Sequence, residues 1–274
     1  MHYIFLLNEL PFMTKNSKNS VFRIVFLGTG TSQGIPVIGC KCRVCTSLNP
    51  KNSRLRSALF FSYKNYNIVI DAGPDFRQQM LSNAIEHVDA ILLTHEHKDH
   101  IAGLDDIRPF NFISQKAMDV FAESRVVDSV KKEFAYVFKK DPYPGVPLMN
   151  MHTITNEDFT YKSLTIQPLR VYHWQLPIYG FRIDKVAYIT DASSIPDETL
   201  AKLFDLDVLI INALRIQKHY SHFNLAEALD LVSKVQPKKA YFTHISHLLG
   251  DVEEIQKTLP KHVFLAYDGL EIFC

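Results

Sequence analysis

Apolar residues recur along this chain as short runs separated by polar loops. Runs of about four to eight residues rich in Val, Ile and Phe suit a pleated, buried surface. They predict strands over residues 22–27, 58–63, 67–70, 90–94, 164–171, 186–190, 208–212, 240–243 and 263–267. Helical spacing lies between them. It is clearest over residues 225–235, where Leu225, Ala228, Leu229, Val232 and Val235 share one face. Asn224 supplies an N-cap, and Pro237 follows the end. Further helices are predicted over residues 75–83, 124–138, 197–204 and 252–259. Strands and helices mix without a composition break or low-complexity linker, which predicts one layered α/β domain over residues 21–274. Residues 1–20, ending in a polar stretch, read as a loose leader. Residues 131–151 carry Phe134, Tyr136, Phe138 and Tyr143 beside Pro142, Pro144, Gly145 and Pro147. They read as a helix followed by a pocket-covering loop or an ordinary connection.

Composition narrows the function classes. Hydrophobic residues make up 47% and charged residues 22%, so a sizeable core forms without needing metal to hold it together. The formal net charge of +1 gives no global field to recruit nucleic acid. The first ten residues hold a short apolar run with no Lys or Arg before Lys15, unlike a signal peptide. No stretch approaches the roughly 18 apolar residues that span a membrane. Cys40, Cys42 and Cys45 crowd together and Cys274 ends the chain, which is not a disulfide framework. A reducing, cytoplasmic location without a membrane partner is expected.

The densest chemistry is Thr94-His95-Glu96-His97-Lys98-Asp99-His100, directly after an apolar run. His95 and His97 alternate on extended backbone and can point the same way. Asp99 and His100 follow a turn and can face a second ion. Two ions can make a hydroxide nucleophile at neutral pH. Asp71, His95, Asp191 and His244 all fall at or just after predicted strand ends, the usual place for a rigid scaffold to present ligands.

Thr-His-x-His-x-Asp-His resembles the signature of the metallo-β-lactamase superfamily, and Asp71-Ala72-Gly73 is similar to that superfamily's first motif. The similarity runs from about Val21 to Cys274 and implies an αββα four-layer sandwich with metals at one edge of two packed sheets. The family pattern then asks for a His, a bridging carboxylate and a last His, and the chain offers His173, Asp191 and His244 in that order. The resemblance thus implies one ion on His95, His97 and His173, another on Asp99, His100 and His244, and Asp191 between them. Nitrogen and oxygen donors accommodate both zinc and manganese.

Around His173 the chain reads His-Trp-Gln-Leu-Pro-Ile-Tyr-Gly-Phe-Arg rather than Gly-His-Thr-x-Gly. This resembles the phosphodiesterase branch, with its tRNA 3′-processing ribonucleases (RNase Z) and the cyclic phosphodiesterases of phosphonate breakdown. The opening Phe26-Leu27-Gly28-Thr29-Gly30-Thr31-Ser32 is also similar to that branch. Cys40, Cys42 and Cys45 give three soft ligands for one ion, and a closed tetrahedral zinc needs a fourth. Resemblance to the cyclic phosphodiesterases names His247 for a structural zinc. Cys274 competes for that position, and the alternatives for the thiols are a Cys42–Cys45 redox pair or inert side chains.

By the same resemblance, His222 in Ser221-His222-Phe223-Asn224 faces the substrate phosphate without binding metal. Imidazole can act as general acid near neutral pH, protonating the leaving alkoxide, with Asp99 helping to orient the nucleophile. His219 is a nearby alternative, and Arg108 is expected to pair with Asp105 or Asp106 rather than with substrate. The sequence therefore points to a metal-dependent phosphodiesterase cleaving small cyclic phosphate esters. The alternatives are an RNase Z-like endoribonuclease, a lactonase or thioesterase, and a PQQ-biosynthesis-B-like member of the fold. No long Gly- and Lys/Arg-rich arm for tRNA is seen. A homodimer is a further expectation.

Overall fold

The computed structural model describes residues 22–64 and 66–274. The leader expected over residues 1–20 lies outside them. Six strands follow the chain into a first sheet: β1 (Phe22–Gly28), β2 (Ala58–Tyr63), β3 (Tyr66–Ile70), β4 (Ala90–Leu92), β5 (Met118–Glu123) and β6 (Met149–Ile154). A second sheet holds β7 (Phe159–Tyr161), β8 (Leu164–His173), β9 (Leu176–Ile183), β10 (Val186–Ile189), β11 (Val208–Asn212), β12 (Lys239–Thr243) and β13 (Val263–Leu265). The last strand, β14 (Glu271–Phe273), returns to the first sheet beside β1. Both sheets follow one plan. Their early strands pair antiparallel, and β3 to β6 and β10 to β13 run parallel.

Alternation along the strands explains why the runs were apolar on both faces. In β1, Ile24 and Phe26 face the space between the sheets, while Val25 and Leu27 face the outer helices. In β11, Val208 and Ile210 point inward, and Leu209 and Ile211 point outward. The first sheet's outer face is covered by α1 (Phe76–Ser82), α2 (Lys98–Ile101), α3 (Arg108–Ser114) and α4 (Ser124–Glu133). The second is covered by α5 (Asp197–Ala201), α6 (Leu225–Val235) and α7 (Val252–Gln256). The layers are αββα, as the resemblance implied.

Helix α6 has the predicted bounds, and Asn224 and Glu227 close a capping box at its start. Its buried face is Ala228, Leu231, Val232 and Val235, with Leu225 and Leu229 half-buried beside it. The sequence reading missed β5, β6, β7, β9 and β14. Strand β9 was hidden by Pro177 and Gly180, which are strand-breaking by type. Helix α4 stops at Glu133 rather than residue 138. Phe134 and Val137 turn back into the core instead, Tyr143 is exposed, and Met149 begins β6.

Candidate metal centre

Register places the site. Ile70 pairs with Leu92 in one parallel ladder, and Asn212 with Thr243 in the other. The loops that leave these strands therefore emerge at one edge of the sandwich. Tyr179 N–H donates to the Thr94 carbonyl (3.1 Å) and Ile245 N–H to that of Thr29 (2.8 Å), joining the two sheets there. Asp71, Asp191 and His244 take left-handed backbone at φ of 66°, 58° and 53°. Such conformations cost about 1–3 kcal/mol outside glycine and cluster at functional sites. They turn each side chain back across the sheet edge. Gly73 is needed as well, since a Cβ there would sit 1.9 Å from the Asp99 carbonyl oxygen.

Every histidine and aspartate named for the two-ion site converges here. His95 Nε2 and His97 Nδ1 are 2.9 Å apart, and the His97 and His173 rings lie 5.1 Å apart. His100 Nε2 is 3.2 Å from Asp99 Oδ2 and 3.3 Å from Asp191 Oδ2. His244 Nε2 and His222 Nε2 each lie 3.1 Å from Asp191 Oδ1. Two donors at about 2.1 Å from one cation are about 3.0–3.4 Å apart. The side chains thus stand at co-ligand spacing. His100 Nε2 is buried and has no hydrogen bond, although two carboxylates face it. That is the arrangement expected of a donor aimed at a shared cation, so the residues fit divalent metal. Asp191 belongs to three donor groups: with His95 and His100, with His173 and His222, and with Asp99 and His244.

Partners behind the donors fix their tautomers. His100 Nδ1 donates to Asp71 Oδ2 (2.7 Å), His173 Nδ1 to the Ser221 carbonyl (2.8 Å), and His244 Nδ1 meets Ser57 Oγ at 3.2 Å. Each leaves Nε2 for the site. Asp71, a ligand candidate by sequence position, is corrected by this geometry. It is fully buried, accepts from Thr94 N–H and Oγ1, and serves His100 from behind. Ser57, Ser221 and Asn212 were missed by sequence reasoning. Asn212 clasps the Asp191 loop, accepting from Ala192 N–H (2.8 Å) and donating to its carbonyl (2.9 Å). No local motif marks them, because their partners are distant in sequence.

The electrostatics suit a cation. Burial lowers His244 to about 4 despite Asp191, and burial with the His100 charge lowers His95 well below the ordinary imidazole value. Burial opposes charge on Asp99 and Asp191, yet the neighbouring histidines hold both well below the usual carboxylate range. Burial likewise opposes charge on His100, but Asp99, Asp71 and Asp191 raise it well above the ordinary value. The carboxylates and the His95 and His244 imidazoles thus stand in the protonation states that bind metal, whereas His100 holds a proton that a bound cation would displace.

Cys40, Cys42 and Cys45 gather separately around His247. Their sulfurs lie 3.3, 3.3 and 3.5 Å from His247 Nδ1. A tetrahedral zinc with legs of about 2.3 and 2.0 Å separates sulfur from nitrogen by about 3.5 Å. The set therefore fits one closed zinc. The Cys45 N–H and then His247 draw the Cys42 thiol down to about 6, while burial pushes Cys45 up to about 11. Cys274 stands elsewhere, on the strand partner of Phe22, so it does not compete for the fourth position.

The remaining candidates divide. His222 Nδ1 meets Ser221 Oγ at 2.9 Å and His219 Nδ1 at 3.2 Å, so both histidines stand beside the cluster. Arg108 pairs with Asp105, as expected. Tyr179 and Gly180, the pair that suggested the phosphodiesterase branch, pack inside the sandwich. Tyr179 lies under the Arg170 guanidinium at 4.0 Å, and a Cβ on Gly180 would meet the Tyr188 carbonyl at 2.6 Å.

The beta-lactamase superfamily domain matches residues 66–245. The octanoyltransferase of Porphyromonas gingivalis is 40% identical over 252 residues, 91% of this chain but 51% of that protein. The chain thus spans about half the length of that curated relative. Among solved structures, a diphosphatase of the PhnP family is 38% identical, with TM-score 0.87 over 93% of this chain and 97% of its own. Zinc-bound PqqB of Methylobacterium extorquens shares the fold at 19% identity, TM-score 0.76, 91% of this chain and 99% of its own. The chain belongs to the beta-lactamase superfamily and has the metallo-β-lactamase fold.

Proposed function

We propose that this protein is a hydrolase that cleaves small phosphate esters, cyclic phosphates foremost, at a site holding two divalent ions, with a third, structural zinc on Cys40, Cys42, Cys45 and His247. The observation that carries this reading is the shared carboxylate of Asp191. Its Oδ2 faces His100 at 3.3 Å, and its Oδ1 faces His222 and His244 at 3.1 Å. One carboxylate with both oxygens committed to different donors is built to serve two cations. Bound there, such cations supply Lewis acidity toward a phosphoryl oxygen and a nucleophile from water at neutral pH.

The chain's own residues do the rest. Asp71, Ser57 and the Ser221 carbonyl orient the imidazoles. His222 Nε2 holds the proton for the leaving oxygen, and Ser221 Oγ steadies its Nδ1 (2.9 Å). Zinc and manganese both suit the donors.

The diphosphatase relative favours a second reading, in which the scissile bond is a phosphoric anhydride. It uses the same centre. Acyl transfer is named for a relative about twice as long, of which this chain matches only half, so it gives no reading for this site.

Metal-loaded protein should turn over bis(p-nitrophenyl) phosphate, and Asp191→Ala should not. Retained turnover in that variant would overturn the proposal. A panel of cyclic phosphates, nucleoside diphosphates and pre-tRNA then ranks the substrates.

A further inference from the structure

Residues Trp174 and Gln175 form the two-residue loop between β8 and β9, whose flanking partners are His173 and Leu176. Such loops favour Gly, Asn or Asp where φ is positive. Here the position with φ of 56° is a tryptophan. A bulky aromatic in left-handed backbone is a genuine outlier. It does not arise from core packing, because Trp174 is 59% exposed. The strained turn is held by its surroundings, with Trp174 N–H donating to Ser193 Oγ at 2.8 Å. The fold thus maintains an unfavourable conformation that presents an indole to solvent one residue after His173.

A second exposed ring stands opposite. Tyr220 is 73% exposed, and its ring meets the indole edge-on at 5.9 Å and 81°. The rings continue inward without a gap. Tyr220 stacks on His219 at 4.6 Å, His219 lies 5.2 Å from His222, and His222 lies 4.6 Å from His173. One aromatic wall therefore runs from the Asp191 donor groups out to Trp174.

We infer that Trp174 and Tyr220 are the nucleobase subsite, so that the substrate is a phosphorylated nucleoside rather than a bare sugar phosphate. This rests on the phosphate-ester reading above and names its substrate class. Every base has a π-face, and aromatic platforms bind bases through it with little sequence preference. An indole lying edge-on to a phenol leaves a face free for a base while the phosphate reaches the metal centre.

The test uses metal-loaded protein with AMP and ribose 5-phosphate, which share sugar and phosphate and differ in the base. Calorimetry should give AMP an affinity about tenfold higher, the size expected of one stacked base. Trp174 is the chain's single tryptophan, so AMP should quench intrinsic fluorescence and ribose 5-phosphate should not. Trp174→Ala and Tyr220→Leu should each bring the two affinities within about threefold, and Trp174→Phe should keep most of the preference. Equal affinities in the parent protein, a preference that survives Trp174→Ala, or AMP binding without quenching would each overturn the inference. Failure here with diester turnover intact removes the base subsite alone. Quenching by AMP without turnover of any ester removes the hydrolytic reading and leaves the subsite standing.

Discussion

Asp71 and His100 form a fully buried pair, Oδ2 to Nδ1 at 2.7 Å, and the other imidazole nitrogen points at Asp99 and Asp191. Asp71 therefore orients His100, a candidate metal donor, from behind, with its own carboxylate turned away from the cluster. Asp71→Asn keeps the shape and removes the charge. It should weaken metal affinity about 10- to 100-fold, as loss of such supporting partners does. Metal titration of the variant, with its fold checked by circular dichroism, is the measurement. Unchanged affinity would show that ring orientation is set by packing alone.

His222 stands within 3.1 Å of the shared carboxylate, close enough to serve as proton donor or as ligand. His222→Ala should lower kcat about 10²- to 10⁴-fold while metal content stays full. Metal content and turnover must be read on the same sample. Loss of metal in parallel with rate would reassign His222 to the donor set.

Losing the cysteine site should be felt at the catalytic edge. His244 and His247 lie on one loop, pinned by Ile245 N–H to the Thr29 carbonyl (2.8 Å) and by Ser246 N–H to that of Leu214 (2.9 Å). Cys42→Ser should release one zinc per chain, lower Tm by several degrees and reduce occupancy at the histidine cluster. Full occupancy and activity after zinc loss would separate the two sites.

Asp268 provides a pH signature away from the metals. Burial raises its carboxyl to about 6, although Leu55 N–H and Thr29 Oγ1 donate to it and Arg54 is near. The folded state therefore holds this proton more tightly than the unfolded chain. The stability it contributes is complete below about pH 4 and is lost as pH rises through about 6. The change is about 1–2 kcal/mol, allowing for its partial exposure. Asp268→Asn should flatten that part of the profile in denaturant melts between pH 4 and 7. A variant with the parent's slope would place the titration elsewhere.

Much of this was legible in the chain. Strands β1, β2, β3, β10, β11 and β12 announced themselves because both their faces are buried, leaving continuous apolar runs. Helix α6 showed its face and its cap. Strands with mixed exposure left no such trace. Strand β6 alternates unevenly at a sheet edge, and β9 carries Pro177 and Gly180 yet is fixed along its whole length by β8. Tertiary pairing overrides propensity there.

At the site, the motifs and the family resemblance they carry were enough to name the histidines, aspartates and cysteines of the two donor clusters that the structure brings together. His95 to His100 and Cys40 to Cys45 are local motifs a few residues long, while His173, Asp191, His222, His244 and His247 were placed by the family pattern. The sequence could not tell that Asp71 stands behind His100, that Ser57 meets His244 across the two sheets, or that Cys274 is remote from His247. Nor could it show that Trp174 is held in left-handed backbone beside Tyr220. These are relations between residues tens to hundreds of positions apart. They are settled by strand register and by the packing of one sheet on the other, which no single stretch of the chain encodes.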